Sequence, residues 1–174
     1  MNVPPSSCRT TRQASGATAR HPSPVALVTG ACSGIGNALA AQLAQRGYNL
    51  VMVSNRLQAL AEAAARIRAA SGVAVHEVVM DLARPEAAEE LYQTVLSAGH
   101  EVDVLVNNAG IFFFGEVADA DPERARTLLQ LHVVTPSLLC TYFGRDMRAR
   151  RRGHILIVSS LSAWRDFPGV AYYG

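Results

Sequence analysis

Residues 25–36 read VALVTGACSGIG, and this stretch decides the fold. Its first five residues are a short apolar run, the pattern of a buried strand. Gly30, Gly34 and Gly36 follow at once. From there to Gly47 the apolar residues recur at helical spacing, and Gly47 is a suitable stop. A strand therefore feeds a glycine-rich bend and then a helix. Glycine lets the backbone turn sharply and come close to a bound group. The start of the helix aims free N–H groups and the positive end of its dipole at that bend, which suits a diphosphate. The spacing is GxxxGxG, not the commoner GxGxxG, so its context carries more weight than the glycines alone.

Outward from this stretch the same alternation continues. Apolar runs at 49–54, 73–80, 102–107 and 154–160 read as strands, the fourth running into the polar turn Asn107-Asn108-Ala109-Gly110. Helical patterns occupy 57–72, 85–99 and 121–151, with Pro85 near a first turn and Gly72 and Gly99 at ends. Four β-α repeats followed by a strand predict an α/β, doubly wound parallel sheet of the Rossmann kind, with helices covering both faces. Pro136 falls inside the last helical pattern and should bend it or leave a carbonyl unpaired. Residues 25–174 form this one domain. Residues 1–24 contain Pro, Ser, Thr, Ala and three arginines but no acid and almost no large apolar side chain, the composition of a disordered tail. A transit peptide would share that bias but would also carry an amphipathic stripe, which is missing.

Composition narrows the function classes. The 174 residues are 49% hydrophobic, enough for a core, and the net charge of +2 is too mild to argue for nucleic acid. All sixteen basic residues are arginine; the chain has no lysine. Cys8, Cys32 and Cys140 are scattered, without CxxC or zinc spacing, so a reduced, cytoplasmic setting is expected and no metal is assigned. No apolar run has the ~20 residues of a membrane span. The arginines between 145 and 152 read as a solvated helix end. Phe112, Phe113 and Phe114 fit either a pocket wall or core packing.

The motifs together resemble the short-chain dehydrogenase/reductase family. The family's TGxxxGIG is matched by Thr29 to Gly36. Its NNAG is matched by Asn107 to Gly110, and its fifth strand with a serine and a tyrosine by 153–160 and Tyr172-Tyr173-Gly174. The likeness runs from about Val25 to Gly174. It implies a nicotinamide cofactor and a small carbonyl or alcohol substrate. The implied cofactor contacts are Gly30, Ser33, Gly34, Ile35, Gly36, Asn55, Arg56, Asp81, Leu82, Asn108, Ala109, Gly110 and Tyr173. An acid after the second strand would favour NAD; Asn55 and Arg56 stand there, so NADP is preferred over NAD. Arg56 could also be a solvated residue entering a helix.

By the same resemblance Ser160 bonds the substrate oxygen and Tyr173, thirteen residues on, passes the proton. Tyr172 is the competing choice. Two departures stand out. His132 occupies the place of an asparagine that bends the long helix and supports a water reaching the lysine; it either takes over part of this role or is an ordinary helix residue. The family's YxxxK lysine would lie three positions beyond Gly174. The resemblance therefore implies the front part of a longer reductase, incomplete at its C-terminal side, inactive as it stands, with 154–160 left as an exposed edge and homo-oligomers formed only at full length. The alternative is a non-catalytic dinucleotide-binding or interaction module.

Overall fold

The computed structural model describes residues 23–112, 114–165, 168–170 and 172–173. Residues 1–22 of the expected tail, and also Cys8, Phe113 and Gly174, lie outside them.

Five parallel strands form one sheet. They are β1 (Val25–Thr29), β2 (Asn49–Ser54), β3 (Val75–Val79), β4 (Val102–Asn107) and β5 (His154–Ile157). Their spatial order is β3-β2-β1-β4-β5, that of a doubly wound fold, which reverses direction between β1 and β4. The helices are α1 (Gly34–Gln45), α2 (Leu57–Ser71), α3 (Ala87–Ser97), α4 (Pro122–Leu129) and α5 (Thr135–Arg150). The glycine bend thus opens at the point where the strand order reverses, the usual place for a crevice in such sheets.

Alternation along β1 divides the core. Leu27 faces a cluster with Val51, Leu91, Val95, Leu139 and Phe143, on the side of α3 and α5. Ala26 and Val28 face the opposite cluster with Met52, Ala40, Ala44, Leu60, Ala63 and Ile67, on the side of α1 and α2. Successive side chains of a strand point to opposite faces, so a central strand needs apolar residues at every position. The alanines of α1 and α2 keep that layer thin. On the other face Tyr92 stacks on Tyr142 and its hydroxyl donates to Asp146 at 3.0 Å.

A buried acid sits at the N-terminal end of the central strands of this apolar sheet. Asp103, 7% exposed, accepts from the Val25 N–H at 3.0 Å and from Arg152 Nε at 2.8 Å. The β1–β4 register shifts between Val25 and Ala26, and the carboxylate satisfies the N–H at the shift. A buried polar group is tolerated when its bonds are made.

Several expectations are corrected in detail. Uniform burial holds for β1 and most of β2 and β4 but not for the edge strands. β3 is only partly covered, and β5 is exposed along its whole length, in agreement with the exposed edge expected for 154–160. β3 starts at Val75, not at residue 73, and β5 stops at Ile157, so Ser159 and Ser160 lie beyond the strand. Pro85 precedes α3 in a turn. The long helix from Asp121 is continuous but not uniform, because a π-helical turn, Gln130–Val134, joins α4 to α5. Pro136 follows it in the first turn of α5. A proline lacks the N–H that would close the preceding turn, and the widened turn absorbs that loss.

Candidate functional site

The glycine bend is tight for identifiable reasons. Gly30 and Gly34 have φ of 65° and 55°, which L side chains rarely adopt. Gly36 has ordinary φ but no room: a Cβ there would stand 2.4 Å from the Gly30 carbonyl oxygen and from Asn108 Nδ2. The loop after β4 is fastened to the bend by Thr29, a residue quoted in the motif but given no role by sequence reasoning. Its Oγ1 accepts from the N–H of Asn108 at 2.9 Å and of Ala109 at 3.0 Å. The Asn108 amide donates back to the Thr29 carbonyl at 3.0 Å. Thr29 is 2% exposed, so removing its hydroxyl would strand two N–H groups at roughly 1–3 kcal/mol each. Asn107 points elsewhere, donating to Cys140 Sγ at 3.3 Å.

Two clefts meet at this loop. The first, about 300 Å³, is lined by Gly30, Ser33, Asn55, Arg56, Asp81, Leu82, Asn108, Ala109 and Gly110 among others. Nine of the thirteen cofactor candidates therefore come together in it. Ser33 caps α1 without a side-chain bond to the helix, which leaves the first N–H groups facing the bend. Its Oγ instead accepts from Arg56 Nη2 at 2.6 Å, and the same nitrogen lies 3.0 Å from Cys32 Sγ. Arg56 thus lies across the Ser33 end of the cleft while staying exposed to solvent. Burial pushes the Cys32 thiol up, but bonds from Ser54, Arg56 and Ser33 with the Arg56 charge outweigh it, and the thiol lies below its ordinary value. This Cys32–Arg56 pairing was not legible in the sequence, since the two residues are 24 positions apart. Asp81 accepts from the Ala83 N–H at 3.0 Å and the Leu82 carbonyl from Thr135 Oγ1 at 2.8 Å, which fixes the far wall.

The second cleft, about 440 Å³, contains Ile35, Asn108, Gly110, Ile111, Phe112, His132, Ser160 and both Tyr172 and Tyr173. Ser160 caps a short 3₁₀ turn, Leu161–Ala163, its Oγ accepting from the Ser162 N–H at 3.2 Å. Tyr173 packs edge-on against Phe112 and His132, with ring centroids 5.1 and 5.6 Å away. Phe112 is thus pocket wall, not core. Gly34 and Gly36 line neither cleft and act inside the bend.

Residues 24–174 match the family described as short chain dehydrogenase. The chain belongs to that family. Among curated relatives of this short chain dehydrogenase, human Dehydrogenase/reductase SDR family member 4 is 35% identical over 162 residues, 91% of this chain and 58% of that protein. The chain spans somewhat more than half the length of the curated relatives it matches. A metagenomic short-chain oxidoreductase solved in complex with NADP superposes with a TM-score of 0.82 at 34% identity, over 86% of this chain and 68% of that one. An NAD+-bound xylitol dehydrogenase superposes with a TM-score of 0.79 at 30% identity, over 87% of this chain and 58% of that one. The family and the Rossmann architecture expected from residues 25–36 are therefore both established. Among the described residues of this short chain dehydrogenase no helix is long and apolar enough to cross a membrane, and no group of three His, Cys, Asp or Glu could hold a metal ion.

Proposed function

We propose that the chain binds a nicotinamide dinucleotide, NADP in preference to NAD, and serves an oxidoreductase acting on a carbonyl or alcohol. The observation that carries this reading is the pair of clefts joined at Asn108–Ile111, one ending at Ser33 and Arg56 and the other at Ser160 and Tyr173. The residues fit the cofactor: Gly30 lines the first cleft, a Cβ at Gly30 or Gly36 would push apart the bend and the Asn108 loop that shape it, and the α1 start has no side-chain cap of its own.

In this reading the α1 N–H groups and the glycine bend hold the diphosphate. Ser33 and Arg56 hold the 2′-phosphate, the guanidinium offering two parallel donors. Asp81 and Leu82 flank the adenine. When bound, the cofactor supplies hydride from its nicotinamide ring to the carbonyl carbon, or takes it from the alcohol. Ser160 Oγ donates to the substrate oxygen, and the Tyr173 hydroxyl gives that oxygen its proton or removes it. Phe112 and Ile35 restrict water at the second cleft.

The test is a titration of the chain with NADPH and NADH followed by nicotinamide fluorescence. Saturable binding with NADPH tighter is expected, and uptake of neither would end the reading. Substrate reduction with C4-deuterated NADPH then checks the chemistry, deuterium appearing on the carbinol carbon.

A second reading, a dinucleotide-binding module without turnover, draws on two observations. No lysine exists among the 174 residues, and His132 stands where the family resemblance implies an asparagine. It expects tight NADPH binding with no deuterium transfer. Low turnover by these 174 residues alone belongs to both readings. A cytoplasmic setting and, at full length, a homo-oligomer complete the proposal.

A further inference from the structure

His132 occupies the middle of the π-helical turn between α4 and α5. The wide turn directs its imidazole across to the loop after β4. There Nε2 lies 2.9 Å from the Ile111 N–H nitrogen and 2.9 Å from the Ile111 carbonyl oxygen. Without a proton Nε2 accepts from the N–H; with one it donates to the carbonyl. The ring also covers Gly110, where a Cβ would stand 2.7 Å from Cε1 and 3.1 Å from Nε2. Its other side meets the Tyr173 ring edge-on. One imidazole therefore spans the segment shared by both clefts and the tyrosine of the second.

We infer that His132 is the positioning residue for the nicotinamide half of the cofactor. It holds Gly110 and Ile111 against α5 and sets the spacing between that segment and Tyr173. This role needs neither a bridging water nor a lysine, so it differs from the one the family resemblance gives to asparagine at this place. The inference rests on the nicotinamide-dinucleotide reading above. Its consequence is a split between ligands. A nucleotide filling only the far end of the first cleft, at Ser33, Arg56 and Asp81, does not depend on His132. One reaching the second cleft does.

The experiment compares NADP+ with 2′,5′-ADP, which lacks the nicotinamide half, by titration calorimetry on the full chain. His132→Ala is expected to weaken NADP+ by roughly tenfold while leaving 2′,5′-ADP within about twofold. His132→Asn, whose amide offers Ile111 both an acceptor and a donor, should keep NADP+ within about threefold of the parent. Gly110→Ala drives a methyl into the imidazole and should show the same split, and it serves alone if His132→Ala does not fold. Combined with His132→Ala, the added methyl should cost much less than it does alone, a non-additivity that marks direct contact. Equal losses for both ligands would assign His132 a purely structural role and overturn the inference, as would unchanged NADP+ affinity in His132→Ala. If the parent chain binds neither ligand, the cofactor reading falls and takes this inference with it. If the parent binds both while the variants show no split, only the inference falls.

Discussion

β1 and β5 are both short, apolar, parallel strands in one sheet, yet they live in different surroundings. Every residue of β1 is buried, Leu27 wholly so. In β5, Ile155, Leu156 and Ile157 are 41%, 45% and 58% exposed. β1 pairs on both sides and carries helices on both faces. β5 pairs with β4 alone among the described strands and lies at the sheet edge. The difference follows the site. The glycine bend continues the buried β1, and Thr29 ties it to the loop after β4. Ser160 and Tyr173 follow β5 and rest on ring contacts and a one-turn 3₁₀ helix. An apolar edge strand is a surface that proteins cover or blunt, so the cleft at Ser160 and Tyr173 follows a far less covered strand than the glycine bend does.

The largest expected effect tests the buried, close-packed side. Gly36→Val would push a branched side chain onto the Gly30 carbonyl and the Asn108 amide, and a loss above ~4 kcal/mol is expected, or no folded protein at all. Urea denaturation measures it; a stability near that of the parent would show the bend to be looser than its geometry. Next comes a direct comparison of the two strands. Leu27→Ala should cost about 2–5 kcal/mol, and Leu156→Ala less than ~1 kcal/mol, because the second side chain is already half in water. Equal losses would break the contrast.

Within the cofactor end, Arg56→Ala should weaken NADPH about tenfold or more and leave NADH nearly unchanged, read as a ratio of dissociation constants. Parallel losses for the two would move Arg56 from phosphate recognition to general support.

The smallest effect is a pH slope. Burial lowers His132 below its ordinary 6.5, partly opposed by its bond to Ile111, and burial with the nearby His76 lowers His100. The folded chain then binds fewer protons than the unfolded chain just below pH 6.5. Stability is complete above that value and declines as the pH falls toward the lowered values. His132→Asn and His100→Asn should each flatten the decline in midpoints of thermal melts between pH 7 and 5. A slope untouched by either change would place the acid response elsewhere.

What could be read without coordinates was local. Strand and helix periods and glycine stops need only neighbours along the chain and placed the strand–bend–helix unit; the family resemblance then implied Gly30, Ser33, Arg56, Asp81 and Asn108 as cofactor contacts, and these line one cleft. The misplaced details had two causes, a short-range side-chain bond that competes with the strand and the place of a strand in the sheet. Ser160 left the strand because its hydroxyl caps a turn. β3 looked as apolar as β1 because hydrophobicity does not reveal which strand lies outermost.

The amino-acid order alone determined the doubly wound sheet and the glycine cradle at its first crossover, since both follow from short-range backbone geometry and the burial of apolar runs. Only the folded arrangement decided that Arg56 lies across Cys32 and Ser33, that Thr29 binds the loop after β4, and that His132 reaches Ile111. These partners stand 21 to 80 positions apart, and a hydrogen bond of that span exists only once packing has brought its ends together.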